Sequence, residues 1–300
     1  MSDAPEVLYH YTDATGLLGI FRKPVVLWAS DCRFLNDARE VAYALDEFEK
    51  LLEREYPADD PDQRAALELL RTMSSDEQST ALRTGGRDVR RAYVADHLRS
   101  ALAHLDPETL SGQEPFVACF CAQRDLLSQW RGYAAGGYAI GFRTEVLRQA
   151  ADPNAAFHFD LFPVQYGIEG EATEAVKDRI ARVIAELPWR RPRGPLGTVL
   201  VDALVRVFAT IKDPAFSEEK EWRLVTTGWR GLMPPLNLRV AENGVLVPYI
   251  EHTVRDEALA EIVVGPGEHQ ELRVEGVHRL VRSTRLSSAV RVTKSDVPFR

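Results

Sequence analysis

Short runs in which apolar and polar residues alternate with period two recur along the chain, and one long stretch, residues 38–110, replaces that alternation with helical spacing. This mixture constrains the fold more than any single motif. Residues 7–12 place Leu8, His10 and Thr12 on one face of a strand and Val7, Tyr9 and Tyr11 on the other. Asp13 can cap a short helix over 14–21, a second strand follows at 25–30, and 30–37 reads as a polar loop. In the long stretch, Val41, Leu45, Phe48, Leu51 and Leu52 keep helical spacing, as do Tyr93, Leu98, Ala101, Leu102 and Leu105, with polar 73–88 expected as a mobile loop between them. Strands resume at 116–121, 138–142, 221–227, 245–250 and 261–265. Helices are expected at 170–187, 196–212 and 270–283, and a last short strand follows.

Strands scattered among helices without a regular strand–helix–strand rhythm point to an α+β fold with a mixed or antiparallel sheet. The expected organisation is a single domain over 1–300 carrying an all-helical insertion at 38–110. No Gly-x-Gly-x-x-Gly and no Walker-type loop is present, which argues against Rossmann and P-loop nucleotide sites. The net charge of −8 argues against nonspecific DNA binding, which needs a concentrated basic surface. The basic residues are mostly Arg, whose planar fork suits phosphate or carboxylate. Cys32, Cys119 and Cys121 match no zinc spacing and read as core thiols of a reducing compartment. The opening MSDAPEV lacks the basic and apolar regions of a signal peptide, and no apolar stretch is long enough to cross a bilayer, so a cytoplasmic protein without a membrane partner is expected.

Three blocks carry polar chemistry. In Glu218-Glu-Lys-Glu-Trp-Arg-Leu-Val225, entry into a strand would put Glu219, Glu221 and Arg223 on one face and Lys220, Trp222 and Leu224 on the other. Two carboxylates and a guanidinium together can bind ribose hydroxyls or stabilise positive charge developing at an anomeric carbon. The bland alternative is a solvated edge strand with Glu221 and Arg223 as a surface pair. In the central block, Ser128, Gln129, Trp130, Arg131 and Tyr133 precede glycines 136, 137 and 141. Those glycines allow close approach to the backbone, and Trp or Tyr can stack on a planar ring; a hairpin turn with core aromatics is the competing account. His10 can donate to a ribose hydroxyl or shuttle a proton, or be a satisfied structural residue. Asn36 and Asp37 can bind a ligand or cap the next helix, and the basic cluster 189–194 can touch phosphate or form a solvated link.

Read together, Leu8-Tyr-His-Tyr-Thr12, Leu27-Trp with Phe34-Leu-Asn-Asp37, Ser128-Gln-Trp-Arg-Gly-Tyr133 with Gly137-Tyr-Ala-Ile-Gly-Phe142, Phe216 to Val225, Val247-Pro-Tyr-Ile250 and Ile262-Val-Val-Gly-Pro266 resemble the bacterial family called domain of unknown function 2971. The same order of elements is similar, more distantly, to the ADP-ribosyltransferases, which place a His or Arg on the first strand, a polar and aromatic element on a middle strand and a catalytic Glu near a later one. There is no clear Ser-Thr-Ser element, and Glu221 continues into Trp-Arg. That resemblance implies a split sheet with NAD as substrate: nicotinamide against Trp130 or Tyr133, ribose near His10, Tyr11 and Thr12, phosphate held by Arg131 or Arg223, and Ser128 beside them. Glu221 would stabilise the transition state and Glu219 orient the acceptor, a protein or nucleic acid. The implied activity is ADP-ribosyl transfer or NAD hydrolysis, in the setting of a toxin or an antiphage-defence effector. The alternatives are a non-catalytic nucleotide-sensing or protein-interaction module and a nucleic-acid-processing enzyme.

Overall fold

The computed structural model describes residues 4–35, 39–57, 59–84, 87–103, 105, 110–134, 137–149, 159–170, 173–178, 196–229, 236–241, 244–284 and 290–298. The chain begins with β1 (Val7–Thr12), α1 (Ala14–Ile20) and β2 (Val25–Asp31). Four helices follow: α2 (Glu40–Glu55), α3 (Pro61–Thr72), α4 (Ser75–Thr84) and α5 (Arg87–Ala103). The polar stretch expected as a mobile loop therefore holds a helix. Its low apolar content hid it, while the Ser74 hydroxyl and the Glu77 carboxylate hydrogen-bond at 2.7 Å across its first turn.

Next come β3 (Gln113–Cys121), a short helix α6 (Leu127–Gln129) that widens into a π-turn over Trp130–Ala134, β4 (Tyr138–Arg143), α7 (Thr144–Gln149), β5 (Asp160–Pro163) and β6 (Gln165–Tyr166). Then follow α8 (Leu196–Phe208), β7 (Ile211–Lys212), β8 (Glu221–Trp229), β9 (Asn237–Val240), β10 (Leu246–Val254), β11 (Leu259–Val264), α9 (Gln270–Thr284) and β12 (Arg291–Lys294). Among the described residues no helix is long and apolar enough to cross a membrane.

The fold is α+β around an open, mostly antiparallel ten-stranded sheet in the order β12-β11-β4-β1-β3-β2-β10-β9, with β8 and β5 attached through β3. Among the described residues only β11 and β12 run parallel within it. Strand β8 covers one edge of β3 from Gln113↔Trp229 to Cys121↔Glu221. The opposite edge is shared. Strand β1 meets it at Tyr9↔Cys121 and β2 at Ser30↔Val117 and Asp31↔Phe116, so the two part at Cys119.

Alternation sends the two sides of β3 into different cores. On one face Phe116, Ala118 and Phe120 pack with Leu8, Phe142, Trp222 and Leu224 beneath α1 and α9. On the other, Val117 and Val225 lie under α2, α5 and α8 through Phe48, Leu102, Leu204 and Phe208. A separate patch on that second face joins Tyr9, Tyr11 and Cys121 to Trp130 and Ala134 of the π-turn. Between the two patches β8 presents Arg223 and Glu221.

Two glycines make this packing possible, and the groups that approach them belong to the chain itself. A Cβ on Gly141 would sit 3.1 Å from both the Tyr9 ring and the Glu261 side chain, which are joined by a 2.7 Å hydrogen bond from the Tyr9 hydroxyl. A Cβ on Gly137 would sit 2.4 Å from the Thr12 carbonyl oxygen and 2.6 Å from that of Ala134. Backbone cannot swing aside as a side chain can. Urea unfolding should therefore show Gly137→Ala destabilised by more than about 2 kcal/mol and Gly141→Ala by about 1 kcal/mol. An unchanged midpoint for Gly137→Ala would mean that the Thr12 and Ala134 carbonyls can make room for a Cβ.

Candidate functional site

After α8 the chain forms β7, then a 3-10 turn over Pro214–Glu219 whose N-terminus is capped by Asp213, accepting from Ala215 N at 2.8 Å. Lys220, in the left-handed region at φ 45°, closes the turn and delivers Glu221 to β8. This return brings Lys212, Glu219, Glu221 and Arg223 together, and Glu40 arrives from the first turn of α2.

Arg223 is almost completely buried. Its Nε donates to Glu221 Oε1 at 2.8 Å, its Nη2 to Glu221 Oε2 at 3.1 Å and to Glu40 Oε2 at 2.8 Å, and its Nη1 to the Ala209 carbonyl at 2.9 Å. The Lys212 ammonium lies 2.6 Å from Glu219, 3.2 Å from Glu221 and 3.2 Å from Glu40, and 4.8 Å above the Phe216 ring. The Tyr133 hydroxyl donates to Glu219 Oε1 at 2.9 Å, and the Tyr166 hydroxyl accepts from Glu221 N at 2.7 Å. Burial opposes the ionisation of Glu221, but Arg223 and then Lys212 outweigh it and hold the carboxyl at about 2. Burial likewise works against the charge on Lys212, and Glu221 and Glu40 keep it protonated. Burial, reinforced by the Glu221 carboxylate, pushes the Cys119 thiol well up, so it is no thiolate nucleophile at neutral pH.

Three carboxylates thus face two cations, leaving a formal charge of −1. Both oxygens of Glu221 are taken by Arg223, and its depressed pKa makes it a poor base; those of Glu219 accept from Tyr133 and Lys212. Glu219 is the outer carboxylate, beside the exposed Tyr133. Among the described residues no group of three or more His, Cys, Asp or Glu is arranged to hold a metal ion; these carboxylates converge on Lys212 and Arg223 instead.

The solvated-edge alternative for Glu221 and Arg223 is overturned, since both lie under the helices of the second face. Glu219 joins them from the turn rather than from the strand. Trp130 is core: it is 1% exposed, lies edge-on to Tyr11 and donates from its indole nitrogen to Asp125 at 2.6 Å, so it cannot stack on a ligand as it stands. Tyr11 is likewise buried, its hydroxyl donating to Gln123 O and accepting from Leu126 N. Tyr133 and Arg131 are at the surface, and the buried Ser128 hydroxyl has no partner among the described residues.

The register puts Tyr9 with Cys121 and Glu221, so His10 and Thr12 project from the opposite face of β1. His10 is held at the parting of the strands by a 2.8 Å hydrogen bond between Nδ1 and the Cys119 carbonyl, and burial lowers its pKa, leaving it neutral. The Thr12 side chain lies against Gly16. The structure does not bring His10 or Thr12 onto the face of Glu221. Asn36, Asp37, Gly136 and the cluster at 189–194 lie outside the described residues. Reading the sequence missed Glu40, Lys212 and Tyr166. Lys212 offered one signal, as a lone Lys in an otherwise apolar strand end.

The model of the family described as a protein of unknown function, DUF2971, matches residues 129–224. Over that segment the chain is similar to this family. The match is narrower than the six blocks, and no curated protein and no solved structure matches the chain. The matched segment contains Tyr133, Lys212, Glu219, Glu221 and Arg223. Glu40 comes from outside it, so the segment's buried charge is completed by the helices between β2 and β3.

The depressed pKa of Glu221 couples stability to pH with a definite sign. A carboxyl lowered from 4.5 to about 2 on folding adds stability that is fully present above about pH 4.5 and is lost as pH falls towards 2. That shift is worth about 3 kcal/mol. Glu221→Gln should cost roughly 3–5 kcal/mol at pH 7, because it leaves buried cations underpaired, and it should flatten the acid limb of the stability curve. Unfolding midpoints between pH 3 and 7 check this; parallel curves for the two proteins would refute it.

Proposed function

We propose that the protein cleaves the nicotinamide–ribose bond of NAD at the outer edge of the Glu219–Glu221 cluster, as an ADP-ribosyltransferase or an NAD glycohydrolase. The observation that carries this reading is the contrast within Glu219-Lys-Glu221: Glu221 is fixed and ionised by Arg223, and beside it lies the less deeply buried Glu219, held by Lys212 and the exposed Tyr133. The parting of β1 and β2 at Cys119 is compatible with an ADP-ribosyltransferase-like split sheet.

As the C1′–N bond breaks, its electron pair leaves with nicotinamide and positive charge develops on the ribose. A net-negative, preorganised cluster favours that charge. Glu219 is the carboxylate placed to face the ribose, while Glu221 positions Lys212 and Arg223 behind it. The exposed ring of Tyr133 takes the stacking role that Trp130, locked in the core, cannot. Water or an acceptor hydroxyl then bonds to C1′ and yields its proton to Glu219.

A second reading, a nucleotide-binding module without turnover, draws on the saturation of Glu221 by its own arginine. Incubation with labelled NAD, alone and with lysate, separates the two. Nicotinamide release or label transfer should fall by about 100-fold or more in Glu219→Gln, assayed at a temperature where its unfolding curve shows the variant fully folded. Saturable binding of NAD without release favours the module. Release that is undiminished in Glu219→Gln removes Glu219 from the reaction.

A further inference from the structure

Beside the gap in which β1 and β2 part, β2, β10 and β9 present an arginine that has no carboxylate partner among the described residues. Arg239 is half-buried and donates from Nη2 to the Ser30 hydroxyl at 3.3 Å. Among the described residues it makes no ion pair. Burial disfavours its charge, and Tyr249 and then Asp13 favour it. A guanidinium has five N–H donors, and among the described residues one hydrogen bond is made here, to Ser30.

Register pairs Tyr249 with Ser30 and Arg239 with Val247, so the three polar side chains project together. Trp28, on the same face of β2, packs on Tyr249 with ring centroids 4.9 Å apart. Its indole N–H is buried and has no acceptor among the described residues. Gly19 leaves room for that ring, since a Cβ there would come within 2.6 Å of it. The set lies on the β2 side of the gap in which β1 and β2 part.

A half-buried arginine, a hydroxyl, an orphaned indole N–H and an aromatic pair are the complement of an anion joined to a planar ring. We infer that Arg239, Ser30, Trp28 and Tyr249 form a nucleotide subsite in which the guanidinium and hydroxyl take a phosphate and the aromatic pair takes the base. The choice of a nucleotide as ligand rests on the NAD reading; the location rests on the contacts just described.

Calorimetric titration of the whole chain with adenosine diphosphate, pyrophosphate and adenosine tests it, with Arg239→Ala and Glu219→Gln as variants and tryptophan fluorescence as a second readout. Adenosine diphosphate should bind the parent protein and Glu219→Gln alike and bind Arg239→Ala about 10- to 100-fold more weakly. Pyrophosphate should show the same dependence on Arg239 at lower affinity, and binding should weaken with added salt. Equal affinity in the parent and Arg239→Ala, or no binding of adenosine diphosphate by the parent, overturns the subsite. Nicotinamide release by the parent protein is scored separately, so the catalytic reading stands or falls independently: a subsite without release supports the inference alone, and release with a KM for NAD unaltered by Arg239→Ala defeats it alone.

Discussion

A guanidinium buried at the centre of a sheet face must find its hydrogen-bond partners inside the protein, and Arg223 collects them from three separate parts of the chain. Glu221 is its neighbour on β8, Glu40 comes from the first turn of α2, and the Ala209 carbonyl lies just past the end of α8. An unpaired charge there would cost several kcal/mol, so the helices over the second face are not free to settle by apolar packing alone. Phe48, Leu204 and Phe208 provide the driving force for covering that face. The charges dictate which position the cover takes.

Lys212 extends the same constraint to the surface. It closes the loop from β7 back to β8 by neutralising Glu219 and Glu221 together, and it shares Glu40 with Arg223. With three acids and two bases, the network keeps a residual negative charge, and its outermost carboxylate is the one that Tyr133 holds. A single arrangement therefore both locks the layers together and leaves a polar edge beside Tyr133. A fully apolar seam of the same volume would pack at least as well, but would leave no charge at that edge.

The sheet separates two chemistries that the sequence presents side by side. His10 and Tyr9 are adjacent in β1, yet one faces the core beneath α1 and the other the patch around Trp130. His10 is turned to the Cys119 carbonyl at the point where β1 and β2 diverge, satisfying an acceptor that lies between the register pairs of the two strands. Arg239 borders that divergence from the β2 side. His10 and Arg239 thus gather around the interruption in strand pairing, where backbone groups and side chains are not consumed by the ladder.

Period-two alternation determined the strands, because a half-buried strand must send every second side chain to each face. It separated His10 from Tyr9 and Glu221 from Trp222, and the structure keeps those separations. Capping chemistry determined where α1 begins, since the Asp13 carboxylate can satisfy the Gly16 N–H with no help from elsewhere. The α+β class followed from the same local signals, and the DUF2971 match over 129–224 agrees with the resemblance of the central and later blocks. Local patterning said nothing of which distant groups share a face. That Glu40 and Lys212 would complete the Glu221–Arg223 pair was decided only by the docking of α2 and β7, because an ion pair depends on distance in space and not on spacing in sequence. The same holds for Trp130, whose aromatic ring fits a ligand platform or a core equally well until the packing of the π-turn against Tyr11 assigns it to the core. Sequence alone determined which residues each strand offers to each face; tertiary packing decided which of them are sealed and which remain at the surface, since burial is a property of what lies on top.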